Sequence, residues 1–191
     1  MKKEKNWSEY LWIISSLYLI LGLFNILFAW LGLLCFFIPL IMSMTNKNKA
    51  YCNRYCGRGQ LLSLLGSKLS RNKPMPKLLK SKWFRYGFLI FFLSMFINML
   101  LSTYLVFKDA SSLKEIITLF WTFKLPWNFT DLTNVTPWIA QFAFGFYSIM
   151  LTSTLLGLIT MALFKPRSWC VYCPMGTMTQ GICIIKENFK H

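Results

Sequence analysis

Histidine is almost missing from this sequence, occurring once, at His191. A membrane haem held between two histidines therefore has no ligands inside an apolar run, and neither a Ser-His-Asp set nor a histidine-based hydrolase motif can be assembled. Acidic residues are scarce as well, six against 21 Lys and Arg, and none falls between Glu9 and Asp109. No carboxylate or lysine interrupts the long apolar stretches, so there is no ion path or proton relay of the kind a transporter uses. A glycine-rich phosphate loop is also lacking.

Apolar residues and positive charge are what the chain has in excess. Its 191 residues suit one domain, but 55% are hydrophobic and 14% charged, which indicates a membrane protein. The net charge of +15 is held in blocks. From Thr45 to Arg85 there are eleven cations (Lys47, Lys49, Arg54, Arg58, Lys68, Arg71, Lys73, Lys77, Lys80, Lys82 and Arg85) and no acid. Such a segment is expected on the cytoplasmic side of a cell membrane, where anionic lipid headgroups are a sufficient partner and nucleic acid need not be invoked. The opening MKKEKNWSEYLWIISS reads as an uncleaved anchor, because the apolar run behind it continues to Met44 without a small-residue cleavage site.

The pattern predicts an all-α, polytopic membrane domain over residues 1–191. Tyr10 to Met44 is 35 residues without charge, about 50 Å as one helix against a hydrocarbon core of about 30 Å. Two short spans, roughly 10–25 and 28–44, turning between Asn25 and Trp30, fit better than one helix kinked near Pro39. Further spans are expected at 83–107 and 138–164, about four in all. The segment between them has no net charge. Within it, Leu113, Ile116, Ile117, Phe120 and Trp121 follow helical spacing and predict an interfacial amphipathic helix, with Trp121 and Trp127 at headgroup level. Gly145, Ser148, Thr152 and Gly157 are small enough to admit a neighbouring helix. Segments 45–82 and 165–191 then share the cytoplasmic face.

Those two segments hold paired cysteines. YCNRYCGRGQLLSLL contains Cys52 and Cys56, and WCVYCPMGTMTQ contains Cys170 and Cys173. Both spacings can chelate, and a reducing compartment disfavours structural disulfides, so four thiolates form a candidate metal and cofactor ligand set. Zinc and an iron–sulfur cluster each accept that set. Pro174 directly after Cys173 is a feature of cluster-binding runs, and Arg54, Arg58, Lys165 and Arg167 suit an anionic cluster. The same cations would lower thiol pKa values for zinc.

These two stretches, with the four-span layout, resemble the membrane-embedded 4Fe-4S binding proteins related to the polyferredoxin-like membrane subunits of nitrate-reductase systems and to nitrous-oxide reductase regulators. The resemblance implies Cys52, Cys56, Cys170 and Cys173 as ligands of one [4Fe-4S] cluster, with one-electron transfer at the cytoplasmic face. It implies an electron carrier or redox subunit rather than a stand-alone enzyme. Gly57 stands where the family pattern has proline, the second pair encloses two residues where three are frequent, and no soluble ferredoxin run follows. An acidic carrier such as a ferredoxin or flavodoxin would suit the basic loop.

Two other functional classes remain: a non-enzymatic assembly or regulatory subunit with a structural zinc, and a membrane thiol oxidoreductase using Cys170 and Cys173. Cys35 reads as a buried small hydrophobe, and Cys183, ten residues past Cys173, as a packing residue or spare ligand. Trp169 is the aromatic expected to shield the site from solvent; Gly176 and Gly181 could bring backbone amides towards sulfur, although turn geometry alone explains them.

Overall fold

Asn25 breaks the first apolar run. The computed structural model describes residues 10–45, 56–120, 122–126 and 135–188. In it α1, Leu11–Phe24, stops at Asn25, whose backbone is extended (φ −139°, ψ 112°) and whose side-chain oxygen accepts from Leu27 N. This is the local bond by which asparagine competes with a continuing helix. A 3-10 turn, Ile26–Leu31, leads into α2, Gly32–Thr45. Pro39 sits inside α2 without ending it, so the break lies at Asn25 rather than at the proline.

The basic segment is helical too, as α3 (Gly57–Leu69) and a single turn, α4 (Lys77–Lys80). Two long helices follow, α5 (Lys82–Phe107) and α6 (Pro137–Leu163), and α7 (Pro174–Asn188) lies beyond a second 3-10 turn at Ser168–Val171. The structure is thus mostly helical. Ile26–Thr45, α5 and α6 are long and apolar enough to cross a membrane. α1, with 14 residues, extends about 21 Å and does not reach that length alone.

The expected interfacial helix is not formed. Ile116–Leu119 is instead a strand, β1, paired antiparallel with β2, Phe123–Pro126. Ile116, Ile117 and Thr118 are β-branched in succession, which favours extended backbone over the helix their spacing suggested. Phe120 turns the chain at φ 51°. One residue, Ile117, is fully buried, and the Thr118 amide donates to Ser148 Oγ at 3.0 Å, so the pair is fastened to α6. Trp121 and Trp127 lie outside the described residues. Ahead of the hairpin, α5 closes with Asp109 at φ 53°, Ala110 N donating to Leu105 O and Asp109 N to Val106 O. That is the helix-ending arrangement usually completed by glycine.

The chain forms two compact units, one of residues 1–17, 36–89 and 156–191, the other of residues 18–35 and 90–155. The second is built on Ile26, Ala29, Ile117, Ala143, Phe144 and Tyr147. Tyr147 donates its hydroxyl to Leu19 O at 2.9 Å, and its ring covers Gly22 so closely that a β-carbon there would overlap it. Gly145 is equally tight against Met99, as its small size suggested. In the first unit, Leu62, Met75, Met161, Trp169 and Tyr172 form the core. Gly157 admits Leu62 and Trp169, while Gly66 lies against Met161 and Pro166. Arg71 N donates to Ala162 O at 3.1 Å, tying the segment after α3 to the end of α6. Of the three helices long and apolar enough to span, α6 has the largest buried share, 61% of its apolar window against 17% for α5.

Candidate metal centre

Cys56, Cys170 and Cys173 all belong to the first unit, although more than a hundred residues separate Cys56 from the other two. Cys52 and Arg54 lie outside the described residues. Helix starts account for the position of two of the three cysteines.

Cys56 is the N-cap of α3. Its backbone is extended, and its sulfur accepts the Gly59 amide at 3.4 Å. Gly57, the first helical residue, explains the missing proline: a β-carbon there would run into Ser15 Oγ and the Leu11 carbonyl of α1. Two residues on, Gly59 is buried beneath the sulfurs. A β-carbon on it would stand 3.5 Å from Cys56 Sγ and 3.7 Å from Cys170 Sγ, so the two sulfurs are at most about 7 Å apart.

Cys170 lies in the 3-10 turn after α6 and is exposed. Arg167, in the left-handed region at φ 64°, starts this turn, and Ser168 Oγ closes it by donating to Lys165 O while accepting from Lys165 N. Trp169 then points inward, 2% exposed. It meets Tyr172 edge-to-face at 5.0 Å and Phe88 at 5.6 Å, and Tyr172 in turn meets Phe84 at 5.4 Å. These aromatics wall one side with apolar rings. The indole nitrogen of Trp169 is buried with no hydrogen-bond partner among the described residues.

Cys173 directly precedes α7, and Pro174 occupies the first helical position, where a missing N–H costs nothing and the fixed φ suits the helix. Thr177 donates its amide (2.9 Å) and its hydroxyl (3.1 Å) to the Cys173 carbonyl. Burial pushes the Cys173 thiol up to about 11. Against that act the Gly176 amide, the Arg58 guanidinium and the Met175 amide, while Cys56 adds to the rise. The site therefore resists a bare thiolate but surrounds its sulfur with donors and positive charge. A bound metal reverses the balance, since a coordinating thiol is deprotonated outright.

Among the described residues no three His, Cys, Asp or Glu side chains close around a single ion, which gives the zinc reading no support. Three thiols, amide donors, Arg58 and an apolar wall do fit a larger thiolate-held group. Of the expected site residues, Cys56, Cys170, Cys173, Arg58, Trp169 and Gly176 come together. Gly181 has open space where its β-carbon would be, and Cys183 is partly buried along α7. Cys35, expected to be buried, is exposed on α2, a surface that a lipid environment would cover. Sequence reading missed Gly59 and the Phe84–Phe88 wall contributed by α5. It also missed the two helix starts, although Cys-Pro ahead of a polar-apolar run was an available signal for one of them.

A family model described as "4Fe-4S binding domain" matches residues 28–76 and 147–190, the two stretches that contain all four expected ligands. No curated protein and no solved structure matches the chain.

Proposed function

The match to a 4Fe-4S binding domain supports an iron–sulfur binding family for this chain, and on that premise we propose a membrane electron-transfer protein with one [4Fe-4S] cluster. Its ligands would be Cys52, Cys56, Cys170 and Cys173. The observation that carries this reading is the meeting of Cys56 Sγ and Cys170 Sγ over Gly59, with Cys173 close enough to Cys56 to feel its charge. Such a group, when bound, supplies one-electron transfer.

The chain's own residues hold and bias the site. Cys56 and Cys173 stand at the starts of α3 and α7, where unpaired amides and the helix dipole favour negative charge. Arg58 adds a full positive charge, which favours the more negative, reduced state of any anionic centre. Trp169, Tyr172, Phe84 and Phe88 exclude water from one side, while Cys170 stays exposed and offers an edge at which a partner can approach.

The basic segment supports a cytoplasmic position for this end of the protein by the positive-inside rule; the three long apolar helices would lie in the bilayer, and α1, shorter, would complete a fourth crossing together with the turn after it. Anionic lipid and an acidic carrier, a ferredoxin or flavodoxin, are its partners in this reading. Orientation is tested by a membrane-impermeant thiol reagent on right-side-out and inverted vesicles. Labelling of Cys170 only from the outside of the right-side-out vesicles would reverse the assignment.

The function is tested by anaerobic purification in mild detergent, followed by iron, sulfide and zinc analysis and electron paramagnetic resonance of the reduced protein. About four irons and four sulfides per chain are expected for one cluster. The reduced-state signal should be lost in Cys173→Ser. Zinc near one per chain, or iron retained unchanged in Cys173→Ser, would overturn the reading.

A further inference from the structure

The second compact unit contains a cavity of about 300 Å³, and none of its lining residues belongs to the cysteine-bearing unit. Its volume is at the lower end of the range for small-molecule sites, enough for a headgroup-sized ligand. Asn98 and Ser102, one helical turn apart on α5, form one wall, and Gln141 on α6 forms another. Lys114, just ahead of β1, and Lys124, on β2, are among its lining residues, and both are exposed to solvent.

The hydrogen bonds already made there decide what remains for a ligand. Gln141 Oε1 accepts the Lys114 amide at 3.0 Å, so its acceptor end is engaged and its NH2 is left to donate. Ser148 Oγ donates to Phe144 O and accepts from Thr118 N, which commits it to holding the hairpin. The lining carries two lysines, the Gln141 NH2, the Asn98 amide, which both donates and accepts, and the Ser102 and Thr118 hydroxyls. Among the described residues no Asp or Glu lines it. Two cations with no opposing acid pair with an anion, whose oxygens the amide and hydroxyl donors can meet. Met95, Met99 and Ile149 supply an apolar floor beside these groups.

We propose that this cavity binds a phosphate-class anion carried on an apolar body, with Lys114 and Lys124 neutralising its charge and Asn98, Ser102 and Gln141 orienting its oxygens. The hairpin is what positions the two lysines, and its bonds to Gln141 and Ser148 hold them over the cavity. The chemistry is shared by an anionic lipid headgroup and by free phosphate.

The full chain, reconstituted in phosphatidylcholine nanodiscs, is titrated calorimetrically with short-chain phosphatidic acid, short-chain phosphatidylcholine and inorganic phosphate. Phosphatidic acid should bind, and the Lys114→Gln/Lys124→Gln double variant should weaken it about tenfold or more. Lys108→Gln is the control for loss of a nearby charge outside the site: Lys108 lies over the Tyr104 ring at 5.8 Å and does not line the cavity, so its loss should leave binding unaltered. Ser102→Leu fills the space without changing charge and should weaken binding too, giving a second reading if the double variant is unstable. Lysine-dependent binding of phosphatidic acid alone assigns the site to lipid, and equal lysine-dependent binding of inorganic phosphate assigns it to the free anion. Equal binding of phosphatidylcholine, or wild-type affinity in both the double variant and Ser102→Leu, overturns the proposal.

Discussion

Replacing Gly57 by alanine sets two opposed effects against each other beside the candidate metal centre. Alanine stabilises a helix over glycine by at most about 1 kcal/mol, and less at a first position. The added methyl, however, would stand 2.5 Å from the Leu11 carbonyl oxygen and closer still to Ser15 Oγ. Ser15 can rotate away, but the Leu11 oxygen is backbone in the first turn of α1 and yields only if the helix moves. Overpacking of this kind costs about 1–3 kcal/mol, so a net loss of about 1–2 kcal/mol is expected. For a chain of this size that lowers the unfolding midpoint by about 2–8 °C. Thermal melts of metal-free protein in mild detergent, followed by circular dichroism, measure it. Ser15→Ala in the Gly57→Ala background relieves one of the two contacts and should recover part of the loss. Gly57→Pro is the sharper case, since it restores the residue of the family pattern and suits the first turn, yet its ring is bulkier than a methyl and should cost at least as much. An unchanged or raised midpoint in Gly57→Ala would refute the close approach of α1 to α3, and with it the reason given for the missing proline.

Three further outcomes are expected. In metal-free protein at pH 8, a Cys173 thiol with a pKa of about 11 has roughly one part in a thousand as thiolate, so iodoacetamide should modify the exposed Cys170 first. Its rate at Cys173 should keep rising up to pH 11, and equal rates at the two sites by mass spectrometry would contradict the burial. Arg58→Gln removes a cation that acts on Cys173, so the midpoint potential of the loaded protein should fall by roughly 20–50 mV in a redox titration; a rise would place the charge elsewhere. Trp169→Phe removes a buried N–H without a partner among the described residues, which offsets part of the cost of a smaller ring in the core, so the metal-free variant should melt within roughly a few degrees of the parent. A clear drop would mean that the indole nitrogen is engaged.

Much of the helical layout was legible because single residues act locally. Asn25 satisfies its own downstream amide and so breaks a charge-free run, and the bounds of α5 lie at Lys82 and Phe107, where charge resumes. The hairpin was not legible, because Leu113, Ile116, Ile117 and Phe120 fit a helical face as well as Ile116–Thr118 fit a strand. The deciding bonds, Thr118 to Ser148 and Lys114 to Gln141, join residues about thirty positions apart. Cysteine identity and spacing announced a thiolate site, but Gly59, which lies under two of the sulfurs, has no signature distinguishing it from the glycines around it in the sequence.

Proline after Cys173 and glycine after Cys56 are two routes to the same end. Each cysteine must sit just before a helix, so that first-turn amides face its sulfur; the Gly59 amide does so for Cys56, and the Gly176 and Met175 amides for Cys173. α7 begins with Pro174, whose fixed φ suits that turn. α3 begins against the Leu11 carbonyl and has room only for hydrogen at the same position. The departure from the family pattern at Gly57 is thus a packing requirement of α1 on α3, and it leaves the chemistry of Cys56 intact. It follows that in Gly57→Ala stability and iron retention should decline together, because the clash reaches the sulfur through the capping residue next to it. In Arg58→Gln the potential should fall, because the cation lost is one that acts on Cys173.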